Sequence, residues 1–291
     1  NMSLLRRKAL HLLPKNTLFT MKGLIYCFCA VLILASCRGG KKTEVTVEDN
    51  DSLAVAPDSS ETDSLPAPSK AADGLFDDFI YSFMRNPRFQ RERIQFPLVN
   101  MIDGVNHPIA KVSWKFDPLY RKKDVYTIIF DNARSIKAEK DTSLRQTTVE
   151  WVYLNTHRVK QYKFEKKEGQ WMLVEINQHD LSENINSDFY EFYRQFSSNK
   201  RFQKQHISNP FQFKTYDFDN FKNIEGLLDV EQWPDYRPEL PTGTITNINY
   251  GQSYGDTRRR VLMICSQSGG MGCSLTFVRK GKTWILERLE N

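Results

Sequence analysis

From residue 74 onward the apolar residues switch between helical and strand spacing, and they do so twice. Phe76, Phe79, Ile80 and Phe83 fall at i, i+3, i+4 and i+7, as do Phe189, Phe192, Tyr193 and Phe196, so each set predicts one buried helix face. A shorter helix is expected after each, carrying Phe89 and Ile94 or Phe202 and Ile207. It should stop before Pro97 or Pro210, because proline disfavours helical geometry in the residue before it. The remainder is strand-like: Val125 to Phe130, Thr147 to Leu154, Val159 to Lys166 and Trp171 to Ile176 are rich in β-branched and aromatic residues. The second half answers with Thr244 to Tyr250, Arg259 to Cys265, Cys273 to Arg279 and Trp284 to Leu289.

The two halves are also related residue by residue. Phe76, Phe79, Phe83, Asn86, Arg88, Phe89, Gln90, Ile94 and Pro97 recur 113 positions later as Phe189, Phe192, Phe196, Asn199, Arg201, Phe202, Gln203, Ile207 and Pro210. Phe164, Lys167, Trp171 and Leu173 recur at the same shift as Phe277, Lys280, Trp284 and Leu286. A fixed shift over both blocks indicates a tandem duplication, with a first domain over 74–180 and a second over 185–291, each large enough for its own core.

Helices followed by a curved antiparallel meander, closing on Gly169-Gln170-Trp171-Met172-Leu173 or Gly281-Lys282-Thr283-Trp284-Ile285-Leu286, resemble the nuclear transport factor 2-like (cystatin-like) α+β cone. The pattern is also similar to a domain-of-unknown-function lipoprotein family of Bacteroidales with that fold. The resemblance implies two tandem cones. It does not imply an activity, since this superfamily holds isomerases, dehydratases, scaffolds and non-catalytic modules.

The apolar run Leu24 to Leu34 is about 11 residues, the length of a signal h-region and far short of the roughly 20 needed to span a bilayer. It follows Met21-Lys22 and ends on Leu34-Ala35-Ser36-Cys37, which resembles the lipobox of bacterial lipoproteins. That resemblance implies removal of residues 1–36 and lipidation of Cys37, with Met21 as the expected biological start. An unusually long n-region containing Arg6, Arg7 and Lys8 is the alternative. Residues 1–36 hold five basic residues and no acid, so the net charge of +6 falls to +1 after cleavage. A near-neutral exported chain lacks the clustered positive footprint of a nucleic-acid binder.

Residues 37–73 read as an extended tether, because Asp, Glu, Ser, Pro and Ala dominate and no aromatic is present to bury. Asp51-Ser52-Leu53 and Asp63-Ser64-Leu65 resemble the Asp-Ser/Thr-apolar acceptor of the general O-glycosylation system of Bacteroidetes, which marks Ser52 and Ser64. The stretch Arg38 to Lys42 is basic and lacks the acidic run that resembles a surface-export signal in that phylum. The expected location is therefore the periplasmic face of the outer membrane, anchored through lipid.

After signal removal and lipidation, Cys265 and Cys273 are the remaining cysteines. They flank a glycine-rich stretch read as a hairpin loop, which places them opposite each other and, in an oxidising compartment, predicts a disulfide. Two buried thiols are the alternative. No CxxC, G-x-S-x-G or phosphate-loop pattern occurs. His107, His157, His179 and His206 occupy no position common to both halves and read as surface or loop residues. No cofactor or metal is expected.

Two weaker constellations remain. Arg88, Arg91 and Arg93, mirrored by Arg201, Lys204 and His206, form a basic helix face that could meet an anionic glycan, headgroup or acidic partner; a solvated face complementing a helix C-terminus is the plainer reading. Trp233, Tyr236, Tyr250 and Tyr254 lie in Pro- or Gly-containing stretches read as loops, where an aromatic is free to contact a ligand. The sequence thus points to a tethered, non-catalytic module binding an envelope protein, glycan or small ligand. The alternatives are an enzyme of the ketosteroid-isomerase or polyketide-cyclase type in one cone, and an assembly subunit with filled cones and an exposed apolar patch.

Overall fold

The computed structural model describes residues 73–256, 258–267 and 272–291. Cys37, Ser52, Ser64, the signal region and the rest of the expected tether lie outside them. In chain order the elements are helices α1 (Phe76–Phe83) and α2 (Pro87–Glu92), and strands β1 (Ile94–Ile102), β2 (Val105–Asn106), β3 (Val125–Phe130), β4 (Gln146–Tyr153), β5 (Arg158–Lys167) and β6 (Gln170–Asp180). They continue with α3 (Ser187–Ser198), α4 (Lys200–Gln205), β7 (Ile207–Asp217), β8 (Lys222–Leu228), α5 (Trp233–Tyr236), β9 (Thr244–Asn249), β10 (Arg259–Ser266), β11 (Cys273–Lys280) and β12 (Thr283–Glu290).

The helical stripes bury as their spacing requires. Phe76, Phe79, Ile80 and Phe83 enter a first core with Phe164, Trp171 and Leu173, and Phe189, Phe192, Tyr193 and Phe196 enter a second with Phe277, Trp284 and Leu286. The same edge contact recurs in both: Phe76 meets Trp171 at 5.1 Å and Phe189 meets Trp284 at 5.4 Å. The repeated asparagines are helix caps, Asn86 accepting from the Phe89 amide and Asn199 from those of Arg201 and Phe202. The repeated glutamines are indole anchors, because Gln90 Oε1 accepts from Trp114 Nε1 and Gln203 Oε1 from Trp233 Nε1, both at 3.1 Å.

The short helices end earlier than the prolines suggest. Ile94 and Ile207 begin strands, and Pro97 and Pro210 lie inside β1 and β7 at bulges, where a proline removes no ladder bond the strand needs. The register on β6 jumps from Ile94 opposite Leu173 to Val99 opposite Glu175; that on β12 jumps from Ile207 opposite Leu286 to Gln212 opposite Arg288. These pairings are parallel, so the two six-stranded sheets are mixed rather than the antiparallel meanders expected.

Strand order is β2-β1-β6-β5-β4-β9 in one sheet and β3-β10-β11-β12-β7-β8 in the other. Strands β3 and β9 each cross to the sheet of the other half: β3, from the first half, pairs with β10, and β9, from the second, pairs with β4. The interval 180–185 separates the helix pairs but not the sheets, and the described residues cluster as one compact unit. Each exchanged strand feeds both cores. Ile128 and Phe130 of β3 enter the first while Ile129 enters the second; Ile248 of β9 enters the first while Ile245 enters the second. Side chains join the two strands where no backbone ladder does. The Thr127 amide donates to Thr246 Oγ1 at 2.8 Å and the Thr246 amide to Thr127 Oγ1 at 3.0 Å, with each hydroxyl donating to the other residue's carbonyl.

Register also corrects the disulfide expectation. Cys273 lies opposite Ile264, so Cys265 is offset by one residue and faces the other side of the sheet. Cys265 packs on the first core and Cys273 on the second. Both are free thiols, pushed up to about 11 by burial, and sulfurs on opposite faces cannot reach bridging geometry. The spacing located the facing strands correctly; the one-residue offset decides against the bond.

Candidate functional site

Helix α1, the turn Leu119–Lys122, β3, β9 and the end of β10 converge on a half-open cavity of about 290 Å³. Its wall is apolar at Ile80, Met84 and Ile248 and phenolic at Tyr81, Tyr120, Tyr126 and Tyr250. Asp77 supplies the lining carboxylate, one residue off the apolar stripe on the first turn of α1. The Tyr250 hydroxyl donates to Asp77 Oδ1 at 2.7 Å. Burial raises the Asp77 pKa; the hydrogen bond from Tyr250 opposes this and the Asp78 charge reinforces it.

Three of the phenols around this carboxylate, Tyr120, Tyr126 and Tyr250, are held neutral. Burial, followed by the neighbouring Tyr126 and then Asp77, pushes Tyr120 well above its ordinary value. Burial and then the Asp77 charge do the same to Tyr250, and burial with Cys265 and Asp77 raises Tyr126. Glu139, on the 3-10 segment Ala133–Lys140, is raised by burial and by Asp77. Arg85 stands at the rim with its guanidinium 4.0 Å above the Tyr81 ring. Chemically the mouth offers an apolar floor, neutral hydroxyl donors and a partly shielded carboxylate. A planar, largely apolar molecule with one polar end matches that lining.

The loop aromatics expected to form a binding surface are mostly core. Trp233, Tyr250 and Tyr254 are each 3% exposed, which corrects their reading as free loop side chains. Trp233 starts helix α5 and is anchored by Gln203. Tyr250 stacks on Phe130 and reaches the cavity through its hydroxyl, and Tyr254 bonds Asn247 and the Ile129 carbonyl. Tyr236 is half-buried with its ring against Phe213.

The basic face is not a cluster of free cations either. Arg88 pairs with Glu92, Lys204 with Glu231, and Arg91 donates to the Lys111 carbonyl; Arg201 is exposed. Arg93 turns inward and grips Asp73 through two bonds of 2.9 and 2.8 Å, while Asp73 also accepts from the Trp171 amide. Asp73 therefore belongs to the folded body, one residue inside the expected tether. His206 stacks on Phe202, His157 pairs with Glu191, His107 is exposed, and His179, expected at the surface, is buried in β6. Among the described residues no cluster of metal-ligating side chains occurs and no helix is long and apolar enough to cross a membrane.

The sequence reading missed Asp77, Tyr120 and Tyr126. A signal was present in the repeat itself: Phe76 and Phe79 recur as Phe189 and Phe192, whereas Asp77 gives way to Tyr190. A polar residue at a position where the other half uses an aromatic marks a difference between two otherwise equivalent helices.

Two mixed sheets, each carrying a helix pair, define an α+β protein of the nuclear transport factor 2-like (NTF2-like) class. The crystal structure of an NTF2-like protein from Bacteroides fragilis NCTC 9343 is similar, with a TM-score of 0.70 and 38% identity over 77% of this chain and 98% of that one. The chain belongs to the family described as domain of unknown function DUF4348, whose model matches residues 56–291. Among curated proteins no match is found.

Proposed function

We propose that this chain is a lipid-anchored envelope protein, held at the periplasmic face of the outer membrane, that binds a small ligand at the α1 mouth without transforming it. Its two halves are read as tandem copies of one cone that have exchanged a strand. The observation carrying the binding reading is the Tyr250–Asp77 pair at the edge of an apolar, phenol-lined cavity. The lining carboxylate already accepts a hydroxyl that burial keeps protonated, which suits recognition of a polar end group.

Anchoring rests on the Leu34 to Cys37 motif, so Cys37→Ala is expected to move the protein from the membrane to the soluble fraction on fractionation. Unchanged membrane retention would remove that part of the reading. For the mouth, the neutral apolar fluorophore N-phenyl-1-naphthylamine should bind saturably. Its affinity should fall at least tenfold in a Met84→Trp variant that keeps wild-type circular dichroism, because the indole fills the cavity. Absence of saturable binding, or equal affinity in the folded variant, defeats the assignment. A second reading, an isomerase- or cyclase-type enzyme, draws on the raised Asp77 carboxylate as a base with the Tyr120 and Tyr126 hydroxyls as donors.

A further inference from the structure

At the junction of α3 and α4 lies a second cleft, of about 510 Å³, lined by Arg194, Lys200, Arg237, Ser198, Thr242 and Asn155 among others. The face of α3 that lines it corresponds, 113 residues on, to the face of α1 that lines the first mouth. Tyr81, Met84 and Arg85 there become Arg194, Ser197 and Ser198 here. The same place in the fold is apolar and phenolic in one half and cationic and hydroxylic in the other.

No carboxylate lines this cleft. Arg194 reaches Glu191 at 3.3 Å, but Lys200 and Arg237 have no ion-pair partner among the described residues. An adjoining depression of about 340 Å³ shares Ser197 and Arg237 and carries Glu239, which makes no ion pair with Arg237. Uncompensated cations converging on a concave wall raise the local concentration of anions.

Gln203 adds an independent observation. It is 3% exposed, it lines the cleft, and its Oε1 is used by Trp233. In the first half the matching Gln90 spends its Nε2 on the Phe83 and Asp117 carbonyls at 3.0 and 2.7 Å. The Gln203 Nε2 has no such partner among the described residues. This amide nitrogen is not among the atoms shut off from solvent without a partner, so it opens on the cleft and is free to donate to a molecule seated there.

We propose that this cleft binds an acidic sugar, its carboxylate or phosphate held by Arg237 and Lys200 and its hydroxyls met by Ser198, Thr242, Asn155 and the Gln203 amide. A guanidinium presents a planar fork that pairs with two oxygens of either anion. The hydroxyl and amide lining supplies both donors and acceptors, which a bare inorganic ion would leave unused.

Isothermal titration calorimetry of the full chain with D-glucuronate, inorganic phosphate and D-glucose tests the proposal. Glucuronate should bind saturably, and raised sodium chloride should weaken it. Arg237→Gln and Lys200→Gln should each reduce its affinity at least tenfold. Gln203→Glu, which keeps the acceptor for Trp233 while placing a negative charge in the cleft, should abolish it. Arg201→Gln, at an exposed residue outside the lining, and the Met84→Trp variant should bind normally, which separates this site from the first mouth. No saturable glucuronate binding, glucose or phosphate binding as tightly as glucuronate, or insensitivity to both cation substitutions overturns the proposal.

Discussion

Residues 73–184 expressed alone are expected to give no cooperatively folded monomer. The reason lies in the exchanged strands. Without the second half, β3 loses its ladder to β10 and β4 loses its ladder to β9, so one strand has no sheet and one sheet has a bare edge. The first core would also lose Ile248, Tyr250 and Val261, all buried and all contributed by the second half. At about 1.5 to 3 kcal/mol for each large apolar side chain, that loss alone rivals the 5 to 15 kcal/mol by which a domain is ordinarily stable. Residues 185–291 face the mirror-image deficit, lacking Ile129, Val152, Leu154 and Val159 of the second core. Thermal unfolding followed by circular dichroism, with sedimentation to assign mass, should find each half unfolded or folded only as an oligomer in which the missing strand is supplied by another chain. Mixing the halves should restore a cooperative transition. A sharp melt from a monomeric half would show that the exchange does not hold the molecule together.

The part of this architecture that was legible in the sequence is the part encoded by period. Four large side chains at helical spacing define α1 and α3, and alternating β-branched runs define β3 to β6 and β9 to β12. Strands β1 and β7 were hidden because Pro97 and Pro210 look like helix stops, whereas each sits in a bulge where its own strand carries extra residues relative to its partner. The strand exchange was hidden for a different reason. The near-continuous apolar run Val125 to Phe130 says that both faces are buried but not which neighbour supplies the ladder. Similarly, Asn249 and Gly251 around Tyr250 announce a turn without saying where the ring points. The turn, with Gly251 at φ 72°, returns that ring to Phe130 and its hydroxyl to Asp77. Asp77 itself was masked by the stripe that surrounds it, since a carboxylate beside Phe76 at a helix N-terminus reads as an ordinary first-turn acid.

The largest single-residue effect is expected at Glu150, a carboxylate in the middle of β4 that is 5% exposed. Its Oε1 accepts from Gln161 at 2.7 Å and Asn184 at 3.0 Å, and its Oε2 from Asn247 at 2.9 Å and the Tyr190 hydroxyl at 3.1 Å. Those donors sit on β5, on the segment after β6, on β9 and on α3, so one side chain joins the first-half sheet to the exchanged strand and to the first helix of the second half, α3. The chain of bonds continues: Asn247 Nδ2 also donates to Tyr254, its Oδ1 accepts from the Ile129 amide of β3, and Tyr254 donates to the Ile129 carbonyl. Burial and the Glu150 charge raise the pKa values of Tyr190 and Tyr254, keeping both phenols protonated as donors. Glu150→Leu keeps the volume but takes the acceptor from three buried donors, on Asn184, Asn247 and Tyr190, and from the half-buried Gln161. Because each unsatisfied donor costs about 1 to 3 kcal/mol and some recover a partner by relaxation, a net loss on the order of 3 to 5 kcal/mol is expected. Glu150→Gln retains one acceptor oxygen for two of the four and should cost about half as much. Urea unfolding should place the midpoints in the order wild type, Gln, Leu, with similar slopes. A Leu variant as stable as the wild type would mean that apolar packing alone carries the joint between the two sheets.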